Sequence, residues 1–130
     1  PNLPEAARLL EAGEAADHDT MLAQGQALLE RGASAVLMKG GHASGDTCTD
    51  ILLMADRTHA YSAPRLETGN THGTGCSMSA AIAAELAKGA DLPRAVEIAH
   101  GWLHAAIAHA DRLEVGKGHG PVHHFHELWQ

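Results

Sequence analysis

Aromatic residues make up only 3% of this 130-residue sequence, and there are two cysteines, Cys48 and Cys76. With so few large rings, aliphatic side chains and alanine must fill the interior, and an apolar content of 45% is enough for a core. The two thiols lack metal-site spacing and imply no disulfide framework, which fits a reducing compartment. Basic residues are also scarce: 9 Lys and Arg stand against 16 Asp and Glu, a formal net charge of −7. That balance argues against general nucleic-acid binding, which depends on neutralising many phosphates. A single nucleotide needs only a lysine or two and local N–H groups. No apolar run approaches the ~18 residues of a membrane span, and no signal peptide stands out. The expectation is a cytoplasmic α/β protein.

One segment departs from this plain background. Thr68-Gly69-Asn70-Thr71-His72-Gly73-Thr74-Gly75-Cys76-Ser77 runs straight into an alanine-rich stretch from Met78 to Gly89. Glycines and small hydroxyl residues leave backbone N–H groups uncovered, and a helix starting there points its positive dipole end at the same spot. Gly73, Thr74 and Gly75 therefore form a candidate anion hole, suited to phosphate or to the charge that develops in phosphoryl transfer. Cys76 sits at the helix mouth as a candidate proton acceptor. The plainer alternative is an inert thiol behind a glycine-rich turn. His72 reads as shaping the loop.

Three further segments carry candidate site residues. Asn2-Leu3-Pro4-Glu5 places an amide and a carboxylate at one helix start, with Pro4 suited to the first turn. Oxygen ligands of this kind suit hydrated Mg²⁺, which takes one or two carboxylates and keeps most of its waters. Glu5 alone would be an ordinary helix-start charge partnering the dipole. Val36-Leu37-Met38-Lys39-Gly40-Gly41-His42 reads as a buried parallel strand with Lys39 at its C-terminal rim, where ligands of open parallel sheets gather. Gly116-Lys117-Gly118-His119-Gly120-Pro121 is a flexible loop bringing Lys117 as another candidate nucleotide-side cation. His119, His123, His124 and His126 do not specify a convergent metal site and are read as structural or surface residues. Phe125, Leu128 and Trp129 read as an apolar clamp for the C-terminus.

Helices are expected over Leu3–Leu10, His18–Glu30, from Thr74 or Gly75 to Lys88, and Leu92–Leu113. Strands are expected over Ala33–Lys39, Thr47–Met54 and His59–Ala63, the last two forming an edge hairpin around Ala55-Asp56-Arg57-Thr58. Asp46 and Asp50 then become loop and edge-strand charges.

In this order, Asn2-x-x-Glu5, Lys39-Gly40-Gly41-His42, Asn70-Thr71-His72-Gly73-Thr74-Gly75-Cys76 and Gly116-Lys117-Gly118-His119-Gly120-Pro121-Val122, the chain resembles the C-terminal half of the hydroxymethylpyrimidine/phosphomethylpyrimidine kinases, within the ribokinase-like superfamily. The resemblance implies half of a three-layer αβα sandwich with a mostly parallel sheet and an edge hairpin. Residues 1–130 are then one partial domain, lacking the N-terminal half that supplies most of the pyrimidine pocket. It also implies ATP and Mg²⁺, with Cys76 as catalytic base where most of the superfamily has Asp. Lys39, Thr71, Lys117 and Gly118 would meet nucleotide, and Glu5 and Asn2 the metal. The implied acceptor is a small pyrimidine alcohol of thiamine biosynthesis, and the intact enzyme a homodimer. Two rival readings are a pyridoxine- or pyridoxal-type kinase and a non-catalytic nucleotide-binding or assembly fragment.

Overall fold

A computed structural model describes residues 1–41 and 45–129. The chain divides into two compact units, Pro1–Arg65 and Leu66–Gln130. His42 lies outside the described residues.

The first unit begins with α1 (Leu3–Leu10) and α2 (His18–Glu30), each opened by a side-chain cap. Asn2 Oδ1 accepts the Glu5 N–H at 2.8 Å, and Asp17 Oδ1 accepts the Thr20 N–H at 2.7 Å. Such bonds satisfy N–H groups that the first helical turn leaves without partners. Three strands follow, β1 (Ala35–Met38), β2 (Thr47–Met54) and β3 (Thr58–Pro64), in the order β1-β2-β3. Their core is built from Leu3, Ala6, Met21, Val36, Met38, Ile51 and Leu53, with Leu22, Leu28 and Leu29 packed against it.

The sheet corrects the expectation of a parallel arrangement. β1 pairs antiparallel with β2, Ala35 opposite Met54 and Met38 opposite Ile51, and β2 pairs antiparallel with β3. The connection over 39–46 is too short for the crossover of about a dozen residues that parallel neighbours need. The apolar run Val36-Leu37-Met38 misled because it reports burial alone: β1 buries Val36 and Met38 with Leu37 half-buried between them, and such burial arises whichever way the neighbouring strand points. Asp50 sits on the central strand, and its Oδ1 accepts the Gly40 N–H at 2.8 Å. It is no edge-strand charge.

The second unit holds α3 (Thr74–Ala87), α4 (Leu92–Ala108) and a 3₁₀ turn over Ala110–Arg112. Asp91 caps α4 by accepting the Arg94 N–H at 2.9 Å. The long helix ends at Ala108 rather than continuing to Leu113. Continuation would give the Ala106 carbonyl to Ala110, but that carbonyl accepts the His123 N–H at 3.0 Å. The chain then tightens, with Arg112 N bonded to His109 O and Leu113 N to Ala110 O.

The apolar clamp also needs correction. Phe125, Leu128 and Trp129 are 51%, 75% and 57% exposed, whereas Val122 at 1% and His123 at 4% anchor the C-terminal segment. Phe125 and Trp129 instead stack on each other, ring centroids 5.0 Å apart. Among the described residues, no helix is long and apolar enough to cross a membrane.

Candidate active site

In the second unit the glycine loop opens α3 without a side-chain cap. Gly73, the residue before the first turn, takes a left-handed conformation, φ 86°, and among the described residues no side chain caps the helix there. A left-handed turn suits glycine because a Cβ there would be strained. The first intrahelical bond runs from Ser77 N to Gly73 O at 2.9 Å, so the Thr74, Gly75 and Cys76 N–H groups lie ahead of the helical ladder. Thr74 N approaches Thr71 O at 3.4 Å. Cys76 occupies the third helical position and is exposed. Ser77, next to it, is buried and shares a 2.7 Å hydrogen bond with His124 Nε2.

Long-range contacts shape this loop. His72 forms a parallel bridge with Pro121: its N–H donates to Gly120 O at 3.0 Å and its carbonyl accepts from Val122 N at 3.4 Å. Thr71 Oγ1 and His119 Nε2 share a 2.9 Å hydrogen bond. Gly118 thus adjoins a residue in contact with Thr71, and Lys117 is exposed in the same loop. Asp111 receives hydrogen bonds from Thr68 Oγ1 and, at 2.8 Å, from Asn70 Nδ2. Asp111 had no signal in the sequence, being one acid at the end of a helical stripe. Gly120 had a partial one, in the glycine spacing around His119.

The first unit groups Asn2, Glu5 and Lys39. Asn2 N donates to Glu5 Oε2 at 2.7 Å while its side chain accepts from Glu5 N, a reciprocal cap. Lys39 N donates to Pro1 O at 2.8 Å, in a parallel bridge between Asn2 and Lys39. This bridge brings Lys39 Nζ to 3.9 Å from Glu5 Oε2, a surface pair worth up to about 1 kcal/mol. The next residue has no room for a side chain: a Cβ at Gly40 would lie 2.0 Å from the Thr49 carbonyl oxygen.

This donor set fits a metal only in a limited way. The Glu5 side chain is 55% exposed and carries one oxygen committed to Asn2 N, which suits a hydrated cation held through water. Asn2 contributes less, since its amide oxygen already accepts from Glu5 N. Among the described residues, no three His, Cys, Asp or Glu side chains gather as a metal cluster.

An α/β kinase fold accounts for these elements. The chain superposes with a TM-score of 0.91 on Bacillus subtilis pyridoxal kinase, solved as an ADP complex, at 30% identity over 100% of this chain and 48% of that one. It belongs to the phosphomethylpyrimidine kinase family, whose profile matches residues 1–123. It is 54% identical to the hydroxymethylpyrimidine/phosphomethylpyrimidine kinase of Salmonella typhimurium (strain LT2) over 129 residues, 99% of this chain and 48% of that protein. With the Rhizobium meliloti (strain 1021) enzyme of the same name, identity is 52% over 130 residues, 100% of this chain and 49% of the relative. The chain spans about half the length of the curated relatives it matches.

Proposed function

We propose that this chain is the phosphate-handling part of a kinase that transfers the γ-phosphoryl group of ATP to 4-amino-5-hydroxymethyl-2-methylpyrimidine, and then to its monophosphate, in thiamine biosynthesis. The observation that carries this reading is the uncapped mouth of α3, with Gly73 left-handed and Cys76 exposed in its first turn, in a chain of this family. In the same reading, residues 1–130 form the C-terminal half of a ribokinase-like domain, and further polypeptide supplies the acceptor pocket. The intact enzyme is a cytoplasmic homodimer.

The chemistry follows from charge. As the hydroxymethyl oxygen attacks the γ-phosphorus, the bond from phosphorus to the β-γ bridging oxygen breaks and ADP leaves. Preorganised N–H groups of Thr74, Gly75 and Cys76 stabilise negative charge on the transferring group without reorienting. Cys76 Sγ, as thiolate, takes the hydroxyl proton. Lys39 neutralises phosphate oxygens, while Thr71, Lys117 and Gly118 contribute to nucleotide binding. Mg²⁺, when bound, neutralises charge on the phosphates; Glu5 would hold it through water, with Asn2 in a lesser role.

A second reading, a pyridoxal-type kinase, draws on the 30% identity and TM-score of 0.91 with the Bacillus subtilis enzyme. ADP release by the protein as its source makes it, assayed with the pyrimidine alcohol and with pyridoxine, separates the two. Preference for the pyrimidine is expected. Turnover of pyridoxine alone would transfer the assignment, and ADP release with neither alcohol would end the kinase reading.

A further inference from the structure

We infer that Asp111 is a positioning residue for the phosphate site, acting on the Asn70–Gly75 backbone through Thr68 and Asn70; this rests on the phosphoryl-transfer reading above. Asp111 lies on the 3₁₀ turn over Ala110–Arg112, which forms where α4 stops short. Its Oδ1 accepts both the Thr68 hydroxyl and, at 2.8 Å, the Asn70 amide. Thr68 Oγ1 in turn accepts the Asn70 backbone N–H at 3.0 Å. An ionised carboxylate only accepts hydrogen bonds, so it fixes which way the Asn70 amide faces, the NH₂ toward Asp111.

The other end of that amide has no freedom either. A Cβ at Gly120 would fall 1.9 Å from Asn70 Oδ1, so Asn70 is wedged between the Asp111 carboxylate and the Gly120 backbone. Thr71 and His72 are then tied to His119 and Gly120. The chain is therefore held on the approach to the Gly73 turn, just ahead of the amides that would meet phosphate. Such amides stabilise developing charge only if they are already in place. Asp111 touches none of the reacting atoms, and its influence passes through Asn70.

Asp111→Ala and Asp111→Asn, made in the protein as its source makes it, test this. Amide hydrogen exchange over residues 68–76 should be about tenfold faster in Asp111→Ala, because the anchor opposing local opening is lost. Asp111→Asn keeps an acceptor oxygen and should stay near the parent value. With ATP and the pyrimidine alcohol, kcat should fall about 10- to 100-fold in Asp111→Ala while nucleotide affinity changes less than about threefold, since misplaced amides weaken the transition state most. Asp111→Asn should recover most of that loss. If Asp111→Ala does not fold, Thr68→Val, which removes one of the two donors, carries the same comparison. Unchanged exchange would overturn the inference, and so would faster exchange with unchanged kcat. A parent protein without phosphoryl transfer would sink the kinase reading instead, leaving exchange to decide whether Asp111 positions the loop.

Discussion

At the scale of single residues, one side chain that the structure places in folding is also the one proposed for chemistry. Glu5 closes the cap of α1 and stands 3.9 Å from Lys39 Nζ, so its loss by truncation would confuse a metal effect with a helix effect. Glu5→Gln avoids this, because glutamine can also complete a reciprocal cap while the charge disappears. The unfolding temperature should hardly move, and the Mg²⁺ concentration giving half-maximal rate should rise, read by titrating Mg²⁺ in steady-state kinetics. An unchanged Mg²⁺ dependence would remove Glu5 from the metal site. Of the candidate site's geometry, the helix start at Gly73-Thr74-Gly75-Cys76 was legible because its glycines, small residues and following alanines all describe one local object, a helix mouth without a side-chain cap. Asp50 and Asp111 were not legible. Their partners, Gly40 on one side and Thr68 and Asn70 on the other, are distant in sequence, and nothing local marks such an acid.

At the scale of elements, α1, α2 and β2 have the bounds their residues suggest, since caps, apolar spacing and turn residues lie within the elements themselves. Strand direction and the end of α4 depended on long-range events: which strand lies alongside, and which N–H claims the Ala106 carbonyl. Helix α2 offers a test of its cap by pH. The Asp17 carboxyl is held below its ordinary value, chiefly by the Thr20 backbone N–H and then by the Thr20 side chain. A depressed folded value stabilises above the unfolded value of about 3.9, and that contribution is lost as pH falls through the folded value. Asp17→Asn keeps a capping oxygen without a titrating group. Thermal unfolding at pH 7 and pH 3 should therefore show a smaller acid-side loss in Asp17→Asn than in the parent. Equal losses would show that the Asp17 charge does not support the helix.

At the scale of the whole molecule, the family assignment covers residues 1–123, while the matched relatives carry about as much chain again. If the acceptor pocket lies in that additional chain, these 130 residues alone should turn over little or no pyrimidine alcohol although the protein as its source makes it does so. Robust ADP release by the isolated chain would refute that division of labour. The central claim is that backbone amides hold the phosphate while one side chain moves the proton, so that binding and chemistry separate. Replacing Cys76 with Ala removes the proton acceptor and leaves the backbone amides of residues 74–76 in place. Cys76→Asp restores a base, and should recover part of the rate that Cys76→Ser does not. The decisive measurement sets nucleotide binding by calorimetry beside single-turnover phosphorylation for Cys76→Ala in the protein as its source makes it. The account predicts near-parental ATP affinity with turnover lowered by about 10²- to 10⁴-fold; near-parental turnover would contradict it and make Cys76 a packing residue at the start of α3.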